Sequence, residues 1–151
     1  MNQEKIMKRK MYIAIAISII LAIALCVFIG LYIDEKKKNQ IAYKNQYMEN
    51  LTRTYEEINI YLQKGTDYEK HYNMILSDMG TARSMVFLIN DYSSYRQNII
   101  NELHYCFVMY PQQMSEKLEE ISKAVEDITE NLDKGYEDAE KIVDSIDKKG
   151  F

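Results

Sequence analysis

Apolar side chains fall along this chain in two regimes. From Met11 to Ile33 the sequence reads MYIAIAISIILAIALCVFIGLYI, with no charged residue in it. Rising about 1.5 Å per residue as a helix, this run reaches roughly 34 Å, enough to cross a hydrocarbon core of about 30 Å. After Asp34 the apolar residues instead recur three and four apart, with polar and charged residues between them. That is the pattern of helices that bury one face. The expected fold is all-α: a short basic tail (1–10), a single transmembrane helix (11–33), and a helical domain (34–151) built as an antiparallel four-helix, up-down bundle or coiled-coil-like array.

Four helices are expected in the domain, at about 34–64, 67–89, 93–110 and 112–148. In the first, Ile41, Met48, Tyr55 and Leu62 recur every seven residues, with Leu51 and Ile58 between them. This 4-3 spacing predicts a heptad seam facing a partner helix. KGTDYE then ends one helix and starts the next: Gly65 suits a left-handed cap, and Thr66 with Glu69 matches a capping box. The second helix aligns Tyr68, Tyr72, Ile75, Met79, Ala82, Val86 and Ile89, and NDYSS (90–94) follows with cap-forming side chains.

The third helix groups Tyr95, Ile99, Leu103, Cys106 and Tyr110. Pro111 disfavours helical geometry at Tyr110 and suits the first turn of a new helix, with a kinked continuous helix as the alternative. In the fourth, one seam runs through Met114, Leu118, Ile121, Val125, Ile128, Leu132, Ala139, Ile142 and Ile146, broken only by Gly135. Acid-first pairs Glu119–Lys123, Glu130–Lys134, Glu137–Lys141 and Asp144–Lys148 line its outer face. Short connections make successive helices antiparallel, which would return Lys148, Lys149 and Phe151 to the headgroups.

Two other readings of the apolar run remove it from the mature chain. Ala22-Ile23-Ala24 resembles a signal-peptidase site, but cleavage there leaves LCVFIGLYI as an apolar new terminus. A lipoprotein site would place a small residue directly before the cysteine, where Leu25 stands. An uncleaved anchor is therefore expected. Along it Ala14, Ser18, Ala22, Cys26 and Gly30 recur every four residues, a stripe of small side chains that lets two membrane helices approach closely. Lys5, Lys8, Arg9 and Lys10 balance Lys36, Lys37, Lys38 and Lys44 across the run, so the positive-inside count is even. The short tail, charged up to the helix, resembles a signal anchor and favours a cytoplasmic N-terminus and an extracytoplasmic domain. A tail of that length has no room for an output domain.

Charge and chemistry narrow the function classes further. A net charge of −4 argues against a nucleic-acid partner. Heavy use of Lys, Asn, Ile and Tyr without Trp hints at an AT-rich, bacterial genome. The two cysteines, Cys26 and Cys106, are too few for a disulfide framework, and Cys106 reads as a small core residue. His71 and His104 each follow a glutamate two positions earlier, about 200° around a helix, so neither pair converges on a metal; both are expected to be polar surface residues. Ser145 and Lys148 match a Ser-x-x-Lys fragment without its companion motifs. The tyrosines fall on seam positions, where rings pack and hydroxyls reach outward. No catalytic residue, metal or cofactor is expected.

Two clusters, SMVFLI (84–89) and YCFVMY (105–110), are apolar all round the helix. Met85, Val86, Phe87 and Leu88, with Phe107, Val108 and Met109, form the candidate partner surface. The expectation is a non-catalytic interaction or scaffold module at the cell envelope. Its partners would be the bilayer and another membrane or envelope protein, or a second copy of the chain. The alternative is a ligand-sensing ectodomain that signals through a partner, marked by a tyrosine-lined cavity open to solvent. In layout alone the chain is similar to small single-span proteins of bacterial cell-division and envelope assemblies.

Overall fold

The structure, a computed structural model, describes residues 2–148. Those residues are helical throughout apart from turns: α1 (Asn2–Lys64), α2 (Tyr68–Val86), α3 (Ser94–Met109), α4 (Pro111–Ser115), α5 (Leu118–Thr129) and α6 (Asp133–Ser145). The chain forms two compact units, Met1–Asn39 and Gln40–Phe151. Tail and apolar run thus belong to one helix with the first domain helix. The unit boundary falls after the exposed, charged segment 34–39 rather than at the end of the apolar run.

The first unit is helix alone. Its apolar run is long and apolar enough to cross a membrane, and none of its most apolar stretch is covered by protein.

The second unit has a continuous core. Residues 40–64 of α1 bury Tyr47, Leu51, Thr54 and Ile58, a 4-3-4 spacing. The α2 helix runs antiparallel to this segment: Tyr68 packs on Tyr61, while Gln40 reaches the backbone of Leu88 and Asn90. Next, α3 runs antiparallel to α2, with the Tyr72 hydroxyl donating to Phe107 O at 2.7 Å and Arg83 Nε to Asn101 Oδ1 at 2.6 Å. Ser93 caps α3 by accepting from Arg96 N. Tyr110, ahead of Pro111, leaves helical geometry at φ −129° and ψ 53°, and Pro111 opens α4 at its first turn. The kinked continuous helix is therefore set aside.

Three sequence expectations are corrected here. The expected helix 112–148 is three helices, so the expected four-helix count does not hold. After α5, Asn131 takes φ 62°, its N–H donates to Ile128 O, and Leu132 N donates to Asp127 O. These two bonds make a Schellman stop with asparagine at the left-handed position. The chain then turns back as α6 against α5. Here Gly135 lets the helices touch: a Cβ on it would sit 2.6 Å from both Ala124 O and Ile128 N. The 3.5-residue phase continued through Leu132 by coincidence, and Leu132 is 44% exposed.

The fold-back also redirects the C-terminal end. Gln113 accepts from Asp147 N and donates to Asp147 O, and Lys148 Nζ lies 3.7 Å from Glu102. Lys148 therefore stands at the end of the unit where α3 meets α4, away from Gln40, and not at the Gln40 end as expected. Lys149 and Phe151 lie outside the described residues. The lysines pair elsewhere than expected, Lys141 with Asp138 and Lys134 with Asp127 across the hairpin.

The third correction concerns the α1–α2 turn. Gly65 adopts φ 63°, as a left-handed cap requires. No capping box closes on Thr66, however. Asp67 is itself left-handed at φ 56°, α2 starts at Tyr68, and the N-cap makes no side-chain bond.

Candidate functional site

The small-residue stripe lies on the apolar helix of the first unit. Ala14, Ser18, Ala22, Cys26 and Gly30 are all exposed, and the Ser18 hydroxyl donates back to Ala14 O at 2.9 Å. A Cβ at Gly30 would meet open space. The stripe is thus a surface with its one hydroxyl satisfied inside its own helix, offering shape and no hydrogen bond.

The predicted partner surface divides. Val86 and Phe107 are fully buried, which corrects their assignment to a surface. Each lies on the inward face of its helix, beside Ala82 and Leu103 respectively. Met85 is half-buried. Phe87, Leu88, Val108 and Met109 remain exposed at 49%, 44%, 49% and 38%. These four form two separate patches, because Phe87 and Leu88 precede the start of α3 whereas Val108 and Met109 are its last residues. The first patch is held by Gln40, whose side chain donates to Leu88 O at 2.9 Å and accepts from Asn90 N at 2.8 Å. Ile41, next in sequence, is 62% exposed.

That exposure corrects part of the predicted seam. Leu51 and Ile58 are fully buried and Met48 and Tyr55 half-buried, but Ile41 and Leu62 face solvent. The buried line includes Tyr47 and Thr54 instead. Thr54 escapes a hydrophobicity count, yet its hydroxyl is satisfied by Asn50 O at 2.9 Å and its methyl can pack inward.

Tyr47 is the centre of a polar cluster inside the core. Its hydroxyl and that of Tyr136 are 3.0 Å apart, and the Tyr92 ring stands edge-on to its own at 5.4 Å. The Arg96 guanidinium lies 5.3 Å from the Tyr92 ring centroid and 5.2 Å from that of Tyr136, in cation–π range. Asp133 accepts from Arg96 at 2.6 Å. Burial, then the neighbouring Tyr136, pushes the Tyr47 phenol well above its ordinary value; burial raises Tyr136 to about 12. Both are neutral phenols over the ordinary pH range, and one donates to the other. The cluster joins α1, the α2–α3 loop, α3 and α6. Outside it, Asp91, Ser93, Tyr95, Arg96, Asp133 and Glu137 line an open groove of about 520 Å³.

His71 departs from its expected surface position. It is buried, and its Nδ1 lies 2.7 Å from Glu57 Oε2. Its partner comes from α1, not from the glutamate two residues earlier. His104 is half-buried above Gly80; burial and the nearby Arg83 lower its pKa. Cys106 is buried, and burial raises its thiol pKa. The Ser145 hydroxyl donates to Ile142 O at 2.6 Å and Lys148 turns to Glu102, so the two do not converge. Among the described residues no group of three or more His, Cys, Asp or Glu side chains is placed to hold a metal ion.

Two features were missed by sequence reasoning. Tyr136 and Arg96 complete the Tyr47 cluster from elements far apart in sequence, a juxtaposition no local pattern signals. The Glu57–His71 pair spans the α1–α2 turn and could have been found, since antiparallel pairing about Gly65 brings those positions opposite one another. Comparison with protein-family models, curated proteins and solved structures finds no match to this chain, which leaves its own geometry as the guide to function.

Proposed function

We propose that this chain is a single-pass membrane protein whose helical domain is a non-catalytic interaction or scaffold module at the cell envelope. One observation carries the reading: the apolar run of α1 is uncovered by protein, whereas the second unit has its own core. Burying one large aliphatic side chain is worth about 1.5–3 kcal/mol. Ile13, Ile17, Ile20, Leu21, Leu25 and Phe28 are each half or more exposed. A hydrocarbon layer satisfies them all at once, and the small-residue stripe then gives the embedded helix a packing face. The N-terminal tail is assigned to the cytoplasm and the domain to the other side.

The domain supports interaction better than ligand sensing. Tyr47 and Tyr136 fill the core with their hydroxyls turned on each other, whereas exposed Val108 and Met109 offer apolar surface to a partner. Alkaline extraction of membranes should leave the protein in the pellet; release into the supernatant removes the anchor. A reporter fused to the C-terminus should be active only outside the cytoplasm. Activity solely inside reverses the topology and ends both ectodomain readings.

A further inference from the structure

The exposed pair Phe87 and Leu88 sits in a place that chain connectivity restricts. Both follow α2, in the turn before α3, with side chains 49% and 44% exposed. The loop is anchored further on by buried Ile89 and by the Tyr92 ring against Tyr47 of α1, but Phe87 and Leu88 themselves are outside that core. Gln40 holds them beside α1: its amide donates to Leu88 O at 2.9 Å and accepts from Asn90 N at 2.8 Å. A side-chain amide that uses both its ends on one loop backbone is a two-point clamp. It satisfies groups the turn would otherwise leave to water, and it sets the loop at the level of residue 40.

Residue 40 cannot stray far from the end of the apolar run. Gln40 is seven residues after Ile33. Even a fully extended chain gives such a tether at most about 25 Å. This bound holds at whatever angle the second unit stands. The exposed Val108–Met109 patch, at the other end of α3, has no comparable restriction.

The residues around the tether also have the chemistry of a lipid surface. Lys36, Lys37 and Lys38 lie in the tether, and Lys44 follows Gln40. Lysines at this level are attracted to anionic headgroups. Ile41, next to Gln40 in sequence and 62% exposed, adds a third large apolar side chain at the level of the tether's end. Aromatic and aliphatic side chains beside lysines are the composition of interfacial anchors.

We infer that Phe87 and Leu88, held by Gln40 and joined by Ile41, form a second membrane contact that inserts into the headgroup–acyl boundary and seats the helical domain on the bilayer. The occupant of this patch is lipid, with anionic headgroups attracted by the lysines. The inference rests on the membrane-anchored reading above, and its test separates the two.

The chain has no tryptophan, so a single introduced indole reports without background. Full-length Phe87→Trp, Phe28→Trp and Val108→Trp variants are placed in vesicles of phosphatidylcholine and phosphatidylglycerol. Matched vesicles carry lipid brominated near the headgroup end of the acyl chains. All three positions are exposed, so each tolerates the larger ring, and Leu88→Trp provides a second reporter in the loop. Loss of fluorescence at positions 28, 87 and 88 with none at 108 supports the contact. Loss at 28 while 87 and 88 behave as 108 overturns the contact and leaves the anchor standing. No loss at 28 overturns the anchor, and the contact with it. Unquenched, blue-shifted emission at 87 that reverts when the protein is diluted into excess lipid assigns the patch to a protein, and likewise overturns the lipid contact.

Discussion

The hydroxyls of Tyr47 and Tyr136 meet 3.0 Å apart in the core, although 89 positions separate them in sequence. Tyr47 has no exposed surface, and Tyr136 is its hydrogen-bond partner. Tyr136 has a second polar neighbour in the Tyr92 phenol. The two tyrosines are therefore unequal. Tyr136→Phe strands the buried Tyr47 hydroxyl and should cost about 1–3 kcal/mol. Tyr47→Phe should cost less, since Tyr136 keeps Tyr92. The double variant should be less destabilised than the sum of the singles, because it removes both partners together. Urea denaturation of the four proteins measures this directly; strict additivity would mean the hydroxyls are not coupled.

Gly135 is the contact point of the α5–α6 hairpin. An alanine there would drive its Cβ to 2.6 Å from Ala124 O and Ile128 N, which are backbone atoms of the facing helix. Neither can rotate away, so the helices must separate. Overpacking of this kind costs about 1–3 kcal/mol or more. Gly80→Ala is the control: its Cβ would lie 3.2 Å from His104 Nε2, the movable end of a side chain. Alanine also gains about 1 kcal/mol over glycine in a helix interior. Gly80→Ala should therefore be near neutral and Gly135→Ala clearly destabilising, read as shifts in urea midpoint.

Asn131 ends α5 with φ 62°. Asparagine visits that region more easily than other residues with a Cβ, and glycine more easily still. Asn131→Gly should therefore preserve stability, whereas Asn131→Ala should lose about 1 kcal/mol. Equal thermal midpoints for the two variants would show that the left-handed stop does not set the fold-back.

The same residues show how much was legible in the sequence. The apolar run, the Gly65 cap, the Ser93 cap and the break at Pro111 are local chemistry, each decided within a few positions. The α5–α6 hairpin was also written locally, in Asn131 and Gly135, but the seam through Ile128 and Leu132 kept its phase and outweighed the stop. The core line on α1 was displaced toward Ile41 and Leu62 because Thr54 does not count as apolar and Tyr47 was not taken as an inward-facing residue. Val86 stands both on the seam of the second helix and in the candidate surface, and the structure keeps the seam reading. Phe107 shows a different limit: it follows the seam residue Cys106 in a segment apolar on all sides, and both are buried, which only the packing of α3 decides. His71 was read against its own helix, while its partner Glu57 comes from the helix before the turn.

Stability should depend on pH at both ends of the range, with signs fixed by two groups. Burial, then Arg83, lowers the His104 pKa below its ordinary 6.5, so the folded state favours neutral imidazole. Below 6.5 the unfolded chain binds a proton that the folded chain resists. The His104 contribution is thus complete above 6.5 and is lost as pH falls through that value toward the lower folded pKa. Tyr136 acts in the opposite direction. Burial raises it from 10.0 to about 12, so its contribution is complete below 10 and is lost as pH rises from 10 toward 12. Urea midpoints measured from pH 5 to pH 11 should therefore fall at both ends. His104→Asn should flatten the difference between pH 7.5 and pH 5.5 and leave the alkaline limb unchanged. Tyr136→Phe should make the alkaline limb shallower without removing it, since burial also raises Tyr47 and Tyr72, and should leave the acid side alone. An unchanged slope between pH 7.5 and pH 5.5 in His104→Asn would show that the folded state does not resist His104 protonation. Asp138, held below its ordinary 3.8 by Lys141, titrates at lower pH and does not supply this limb.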